Sequence, residues 1–192
     1  PAQIKSATDN NGRFDGSNPD IRFSFAEALE SPVQIDSFQK WFASSKAVDA
    51  NGEPLVLYHG SDLQFTKFRT ASWEGGAFFT SNKEAAHLYG DHLYEVHLSM
   101  QNPLEVSAKD WMAGNVLNDD SAKVEGYDGY IIRNHDVGGE PDQLMLGDTY
   151  VAFYAEQIKS AKDNHGQFDR SNPCLLYPSD AADDLPCVDS RW

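Results

Sequence analysis

One 17-residue string occurs twice in this chain. Gln3 to Pro19 reads QIKSATDNNGRFDGSNP, and Gln157 to Pro173 reads QIKSAKDNHGQFDRSNP. Thirteen of the 17 positions are identical, at a spacing of 154 residues. Such length at a domain-sized spacing marks the same terminal element of two tandem units. The repeat thus sets the size of the folding unit. Residues 1–24 read as the C-terminal tail of an upstream copy or a linker. Residues 25–173 read as one complete domain, part of a longer multidomain chain. A duplicated linker with no domain attached is the plainer alternative.

Beyond the repeats the two sequences part. The first continues Asp20-Ile21-Arg22-Phe23-Ser24, the second Cys174-Leu175-Leu176-Tyr177-Pro178-Ser179-Asp180-Ala181-Ala182-Asp183-Asp184. The latter string resembles a translated sequencing adapter, with Pro178 where a Thr is expected. Residues 174–192 are therefore read as non-native and excluded from the fold. Both cysteines, Cys174 and Cys187, lie in this tail.

With 40% hydrophobic and 12% aromatic residues, the chain has enough apolar material for a packed core. Its net charge is -15, and without the tail's four Asp and one Arg it stands at -12. Such a surface repels phosphate, which argues against general nucleic-acid binding and against an anionic membrane surface. No apolar run approaches the roughly 20 residues that span a bilayer. The 173 residues before Cys174 contain no cysteine, which suits a cytoplasmic protein.

Phe38, Trp41 and Phe42 recur at helical spacing, with Asp36 as the expected N-cap. Leu55-Val56-Leu57-Tyr58 and Ala77-Phe78-Phe79-Thr80 read as short strands. Ser81-Asn82-Lys83-Glu84 fits a capping box that opens a helix through Tyr89. His92 to Met100 alternates as a half-buried strand. Trp111 to Leu117 reads as a weak helix, and Gly129–Arg133 and Tyr150–Tyr154 as late strands. This pattern predicts an α+β fold with antiparallel sheets packed on one another.

The chemistry concentrates in Tyr58-His59-Gly60-Ser61, in Gly76-Ala77-Phe78-Phe79-Thr80, and in Tyr89, 11 positions after Phe78. Cleaving a nicotinamide–ribose bond develops positive charge on the sugar. A site for that reaction holds the nicotinamide against aromatic rings, fixes its carboxamide, and sets a polar or anionic group beside the ribose. Backbone at a glycine can approach a carboxamide closely. A histidine can hydrogen-bond a ribose hydroxyl. A carboxylate in a dry pocket stabilises the cation.

These motifs, in this order and spacing, resemble the diphtheria-toxin and PARP-like ADP-ribosyltransferases. The closer likeness is to the transferase domains of phage and mobile-element polyvalent proteins. Trp41-Phe42, Lys46-Ala47-Val48-Asp49, Gly52-Glu53-Pro54-Leu55-Val56 and Gln157-Ile158-Lys159-Ser160-Ala161 share in it, so that it covers roughly residues 36–173. The resemblance implies an α+β, split antiparallel β-sandwich with peripheral helices. It implies NAD as substrate, with His59 on the adenosine-side ribose, Gly60 on the carboxamide and Ser61 in contact with NAD. Phe78 and Tyr89 take the places of the two ring-stacking tyrosines, and His59 and Tyr89 border one cleft.

The catalytic Glu of that family directly precedes the Tyr of a late strand. Here Thr149 precedes Tyr150. Asp148 is the nearest carboxylate, on the opposite face of a regular strand, and Glu156 lies at the strand's far end. Asp148 and Thr149 are the catalytic candidates. Lys67 and Arg69 read as a solvated loop. The six histidines lack metal-ligand spacing, so no metal is expected. The expected activity is transfer of ADP-ribose from NAD to a macromolecular acceptor, a protein, in the host cytosol. A catalytically degenerate NAD-binding or interaction module, an NAD glycohydrolase and a structural module of a phage protein are the alternatives.

Overall fold

Three aromatic residues on one helical face need a partner, and helix α1, Pro32–Phe42, buries Phe38, Trp41 and Phe42 against Phe168. The computed structural model describes residues 32–70, 76–136, 146–162 and 168–175. The first copy of the repeat and most of the tail lie outside them. α1 begins four residues before the expected cap. Asp36 is therefore interior, and its carboxylate holds Lys40 one turn on, at 2.6 Å.

Among the described residues seven strands follow: β1 Leu57–Ser61, β2 Ala77–Thr80, β3 His92–Leu98, β4 Leu104–Ser107, β5 Gly129–Asp136, β6 Leu146–Ala152 and β7 Ile158–Ser160. Their spatial order is β4-β5-β6-β2-β1-β3-β7. β4 and β5 are parallel; the other neighbours are antiparallel. The α+β class expected from the sequence is what the structure shows. β1 and β2 share a single register pair, Tyr58 opposite Thr80. The ladder is thus nearly interrupted there, between β4-β5-β6-β2 and β1-β3-β7.

Both halves feed one core. Leu57, Val96, Leu98 and Ile158 come from one half, and Phe79, Ile131, Tyr150 and Ala152 from the other. Alternation places their neighbours Phe78, Tyr130, Ile132 and Val151 on the opposite face, in a second cluster. The short helices α3, Ala108–Met112, and α4, Asp119–Val124, supply Trp111 and Ala122 to it. The single weak helix expected over 111–117 is replaced by this pair, each started by a capping side chain, Ser107 or Asn118.

Helix α2, Lys83–Ala86, opens on Asn82, which accepts hydrogen bonds from the amides of Glu84 and Ala85. The cap falls one residue later than the capping box predicts. The Ser81 hydroxyl is committed elsewhere: it accepts from the Asp148 amide at 2.9 Å.

The second copy of the repeat closes the domain along the β3 edge. Leu98 pairs with Ile158, His97 with Lys159 and Val96 with Ser160. Ordered packing continues two residues past Pro173, because Leu175 enters the main core and its amide donates to the Thr66 carbonyl at 2.7 Å. The Lys159 side chain turns inward, 1% exposed, and donates to the carbonyls of Asn172 and Cys174 at 2.5 and 2.7 Å. Burial pushes its ammonium down to about 8, against the opposing pull of Asp169 and Glu156. A neutral amine still has two hydrogens for those two carbonyls. Between pH 8 and 10.5 the unfolded chain keeps a proton on Lys159 that the folded chain has lost, so stability rises with pH across that window. Melting curves across it are expected to show the parent chain gaining on a Lys159→Met variant. A gap that stays level or narrows would mean that the fold holds the ammonium without penalty.

Candidate functional site at the opening between β1 and β2

Past the single Tyr58–Thr80 pair the two strands are no longer registered with each other. Extending the antiparallel register two residues sets Gly60 opposite Phe78. The gap is bridged by a side chain: His59 Nδ1 lies 2.7 Å from the Phe78 carbonyl oxygen. A carbonyl only accepts, so Nδ1 carries the hydrogen. The ring sits among Phe68, Phe79, Phe65 and Tyr94, with centroids 4.9, 5.7, 6.1 and 6.2 Å away. Burial lowers its pKa below the ordinary 6.5. The imidazole is therefore neutral at pH 7, and Nε2 is left as an acceptor. Tyr94 pins the loop that covers it: its hydroxyl accepts from the Phe65 amide at 2.8 Å and donates to the Leu63 carbonyl at 3.1 Å.

Gly60 and Tyr89 meet on the other face of β1. A Cβ at Gly60 would stand 1.9 Å from the Ala86 carbonyl oxygen and 3.3 Å from Tyr89 Cβ. Strand β1 therefore runs directly beneath α2 and the 3₁₀ turn His87–Tyr89. Gly90, at φ +143°, presses on the backbone of Ser61 and Asp62, where a Cβ would lie 2.1 Å from the Ser61 carbonyl carbon. These two contacts without side chains fix Tyr89 above the end of β1, with its side chain reaching solvent at 61% exposure. The Ser61 hydroxyl accepts from the Leu63 amide at 3.1 Å and shapes the turn that follows.

Phe78 and Phe79 divide as strand alternation requires. Phe79 is buried in the main core beside His59. The Phe78 ring is half-buried on the opposite face, edge-on to Trp111 at 6.3 Å. The register row Tyr58–Thr80–Thr149 lies on that same face. Gly60, Phe78, Tyr89 and Thr149 thus lie on one face of the sheet and His59 on the other, so His59 and Tyr89, expected to border one cleft, stand on opposite faces of β1.

Thr149 is 4% exposed, with its hydroxyl 3.1 Å from His135 Nδ1. A bulge in β5 between Ile132 and His135, with Asn134 at φ +53°, shifts the register so that His135 opposes Gly147 and reaches Thr149. His135 is one of the six histidines set aside for lack of metal-ligand spacing; the sequence signal for its contact with Thr149 is an Asn in a strand, a residue tolerant of the left-handed conformation. Asp148 points away from Thr149. Its carboxylate pairs with Arg133 at 2.6 Å and accepts from the Asn134 amide at 3.0 Å. Glu95, across β3 from Tyr58, pairs with Lys83 and Lys162, both at 2.9 Å. Glu156 lies in the turn Ala155–Gln157, where its backbone carbonyl accepts from the Trp41 indole at 3.0 Å.

These residues therefore present an exposed phenol ring on one face of β1, a neutral imidazole with one free acceptor position on the other, and a buried hydroxyl–imidazole pair on β6. Among the described residues no group of three or more His, Cys, Asp or Glu stands ready for a metal ion. No helix among them is long and apolar enough to cross a membrane.

Gly60→Ala is expected to cost about 1–3 kcal/mol, because the new methyl meets backbone that can move only with α2. Ser61→Ala should cost about 1 kcal/mol, the value of one hydrogen bond. Denaturant unfolding of both variants checks the order; equal losses would mean that β1 and α2 are not in tight contact.

Comparison with known families bears on this geometry. No curated protein and no solved structure matches the chain. Residues 49–168, more than half of its length, match the family described as ADP-Ribosyltransferase in polyvalent proteins. The match spans β1 through β7, including His59, Gly60, Phe78, Tyr89, His135 and Thr149, and the chain belongs to the ADP-ribosyltransferases of polyvalent proteins.

Proposed function

We propose that this domain binds NAD in the opening between β1 and β2 and transfers ADP-ribose to a protein acceptor, acting in a host cytosol as part of a phage or mobile-element protein. The observation that carries this reading is the close approach of Gly60 to Tyr89, with Phe78 on the same face of the sheet and the neutral His59 bonded to the Phe78 carbonyl from the other face. Nicotinamide stacks on Tyr89, with Phe78 as the second wall. The Gly60 backbone meets the carboxamide, and His59 Nε2 accepts from a hydroxyl of the adenosine-side ribose. Ser61 lines the entrance beside them.

In the transfer, the bond between nicotinamide N1 and ribose C1′ breaks, and its electron pair leaves with neutral nicotinamide. An acceptor lone pair forms the new bond to C1′, and the acceptor's proton goes to His135 or to water. Thr149 stands at the position of the usual Glu and hydrogen-bonds the ribose through its hydroxyl, oriented by His135. It supplies no negative charge. Asp148, the other candidate, is already neutralised by Arg133.

That deficit favours a second reading, a domain that binds NAD and turns it over slowly or not at all. Incubation with labelled NAD separates the outcomes. Label on protein supports transfer, nicotinamide release without label marks a glycohydrolase, and saturable binding alone marks the degenerate module. His59→Ala and Tyr89→Ala are each expected to weaken NAD binding by about tenfold or more; unchanged affinity in both sinks the pocket. Thr149→Glu, which restores the missing charge, is expected to raise nicotinamide release by about 100-fold. Asp148→Ala should retain turnover at a cost in stability, and its abolition would move the catalytic role to that carboxylate.

A further inference from the structure

The second copy of the repeat is seen at work. From Gln157 to Asn172 it behaves as a clasp with two grips. The first is a strand added to the β3 edge: Ile158 is buried in the main core, and the Gln157 side-chain amide donates to the Ser99 carbonyl at 3.2 Å. The second is Phe168, which enters the niche on α1 with ring centroids 4.8 Å from Phe38 and 5.3 Å from Trp41. The segment also ties itself: Lys159 holds the Asn172 carbonyl, and Asp169 accepts from the Ser171 amide at 2.8 Å.

Every one of those anchoring residues recurs in the first copy, as Gln3, Ile4, Lys5, Phe14, Asp15, Ser17 and Asn18. Of the four differences, two fall on described side chains that reach outward. Arg170, which donates to the Trp41 carbonyl at 2.7 Å, is matched by Gly16. Lys162, which pairs with Glu95 at 2.9 Å, is matched by Thr8. The first copy thus carries the same residue types at every anchoring position and differs at the two that make the outward polar links.

We propose that residues 3–19 are a second clasp, able to take the seat on the β3 edge and the α1 niche, and that they do so more weakly than residues 157–173. Residues 20–31 form the tether to α1. Extended, they reach about 40 Å, enough to cross a domain of this size. The seat recognises the clasp sequence, whichever end of the unit carries it.

The full-length chain tests this through Phe14 and Phe168. Phe14→Ala alone is expected to leave Tm within about 1 °C, because the second copy holds the seat. In a Phe168→Ala chain the same change is expected to lower Tm by about 5 °C, because there the first copy has taken over. A Phe14→Ala change that is silent in both backgrounds overturns the proposal. Should Phe168→Ala prevent folding, the milder Arg170→Gly/Lys162→Thr chain makes the copies alike at both outward positions. A fluorescent peptide of residues 3–19 is expected to bind that chain about tenfold more tightly than the parent, and its Phe14→Ala form to bind neither. Equal binding of the two peptides, or none, overturns the proposal.

Discussion

The approach of β1 to α2 at Gly60 governs the geometry of the opening. A four-residue helix has no stability of its own. α2 stays in place because Asn82 caps it and because strand backbone lies flush beneath its last carbonyls. Tyr89 inherits its position from that contact and from Gly90, which lets the chain turn tightly against Ser61. Two absent side chains thus position one present aromatic ring. Bulk at either glycine acts on Tyr89 through the backbone.

Electrostatically the opening is quiet, in a chain of net charge -15. The imidazole is held neutral by aromatic burial, and the carboxylates of Asp148 and Glu95 are matched by Arg133, Lys83 and Lys162. Such a site recognises shape and ring stacking before charge. On the proposed reading, with Thr149 where the family carries a Glu, binding and bond-breaking are separable demands.

Much of this was legible in the residue order. The aromatic spacing in α1, the alternation of β3 and the split of Phe78 from Phe79 follow from periodicity alone. Boundaries were less so. Apolar Leu55 and Val56 read as strand, yet β1 runs from Leu57 to Ser61 because His59, Gly60 and Ser61 extend its pairing with β3. α4 has no apolar periodicity to announce it, because Ala122 is its one buried side chain and its other apolar residue, Val124, faces solvent. The outward turn of Asp148 was legible from strand alternation. The contact of His135 with Thr149 was not, because it depends on a bulge that no local pattern announces.

The seal between α1 and the closing segment joins the two ends of the unit. Trp41 is tied to the Glu156 carbonyl, 115 positions on, and to Arg170, 129 positions on. During synthesis the aromatic face of α1 emerges first and must wait for nearly the whole domain before its cover arrives. Non-local closure of this kind is slow, and it leaves apolar surface on the nascent chain meanwhile. While the domain is being made, Phe38, Trp41 and Phe42 therefore stay uncovered until the closing segment has emerged.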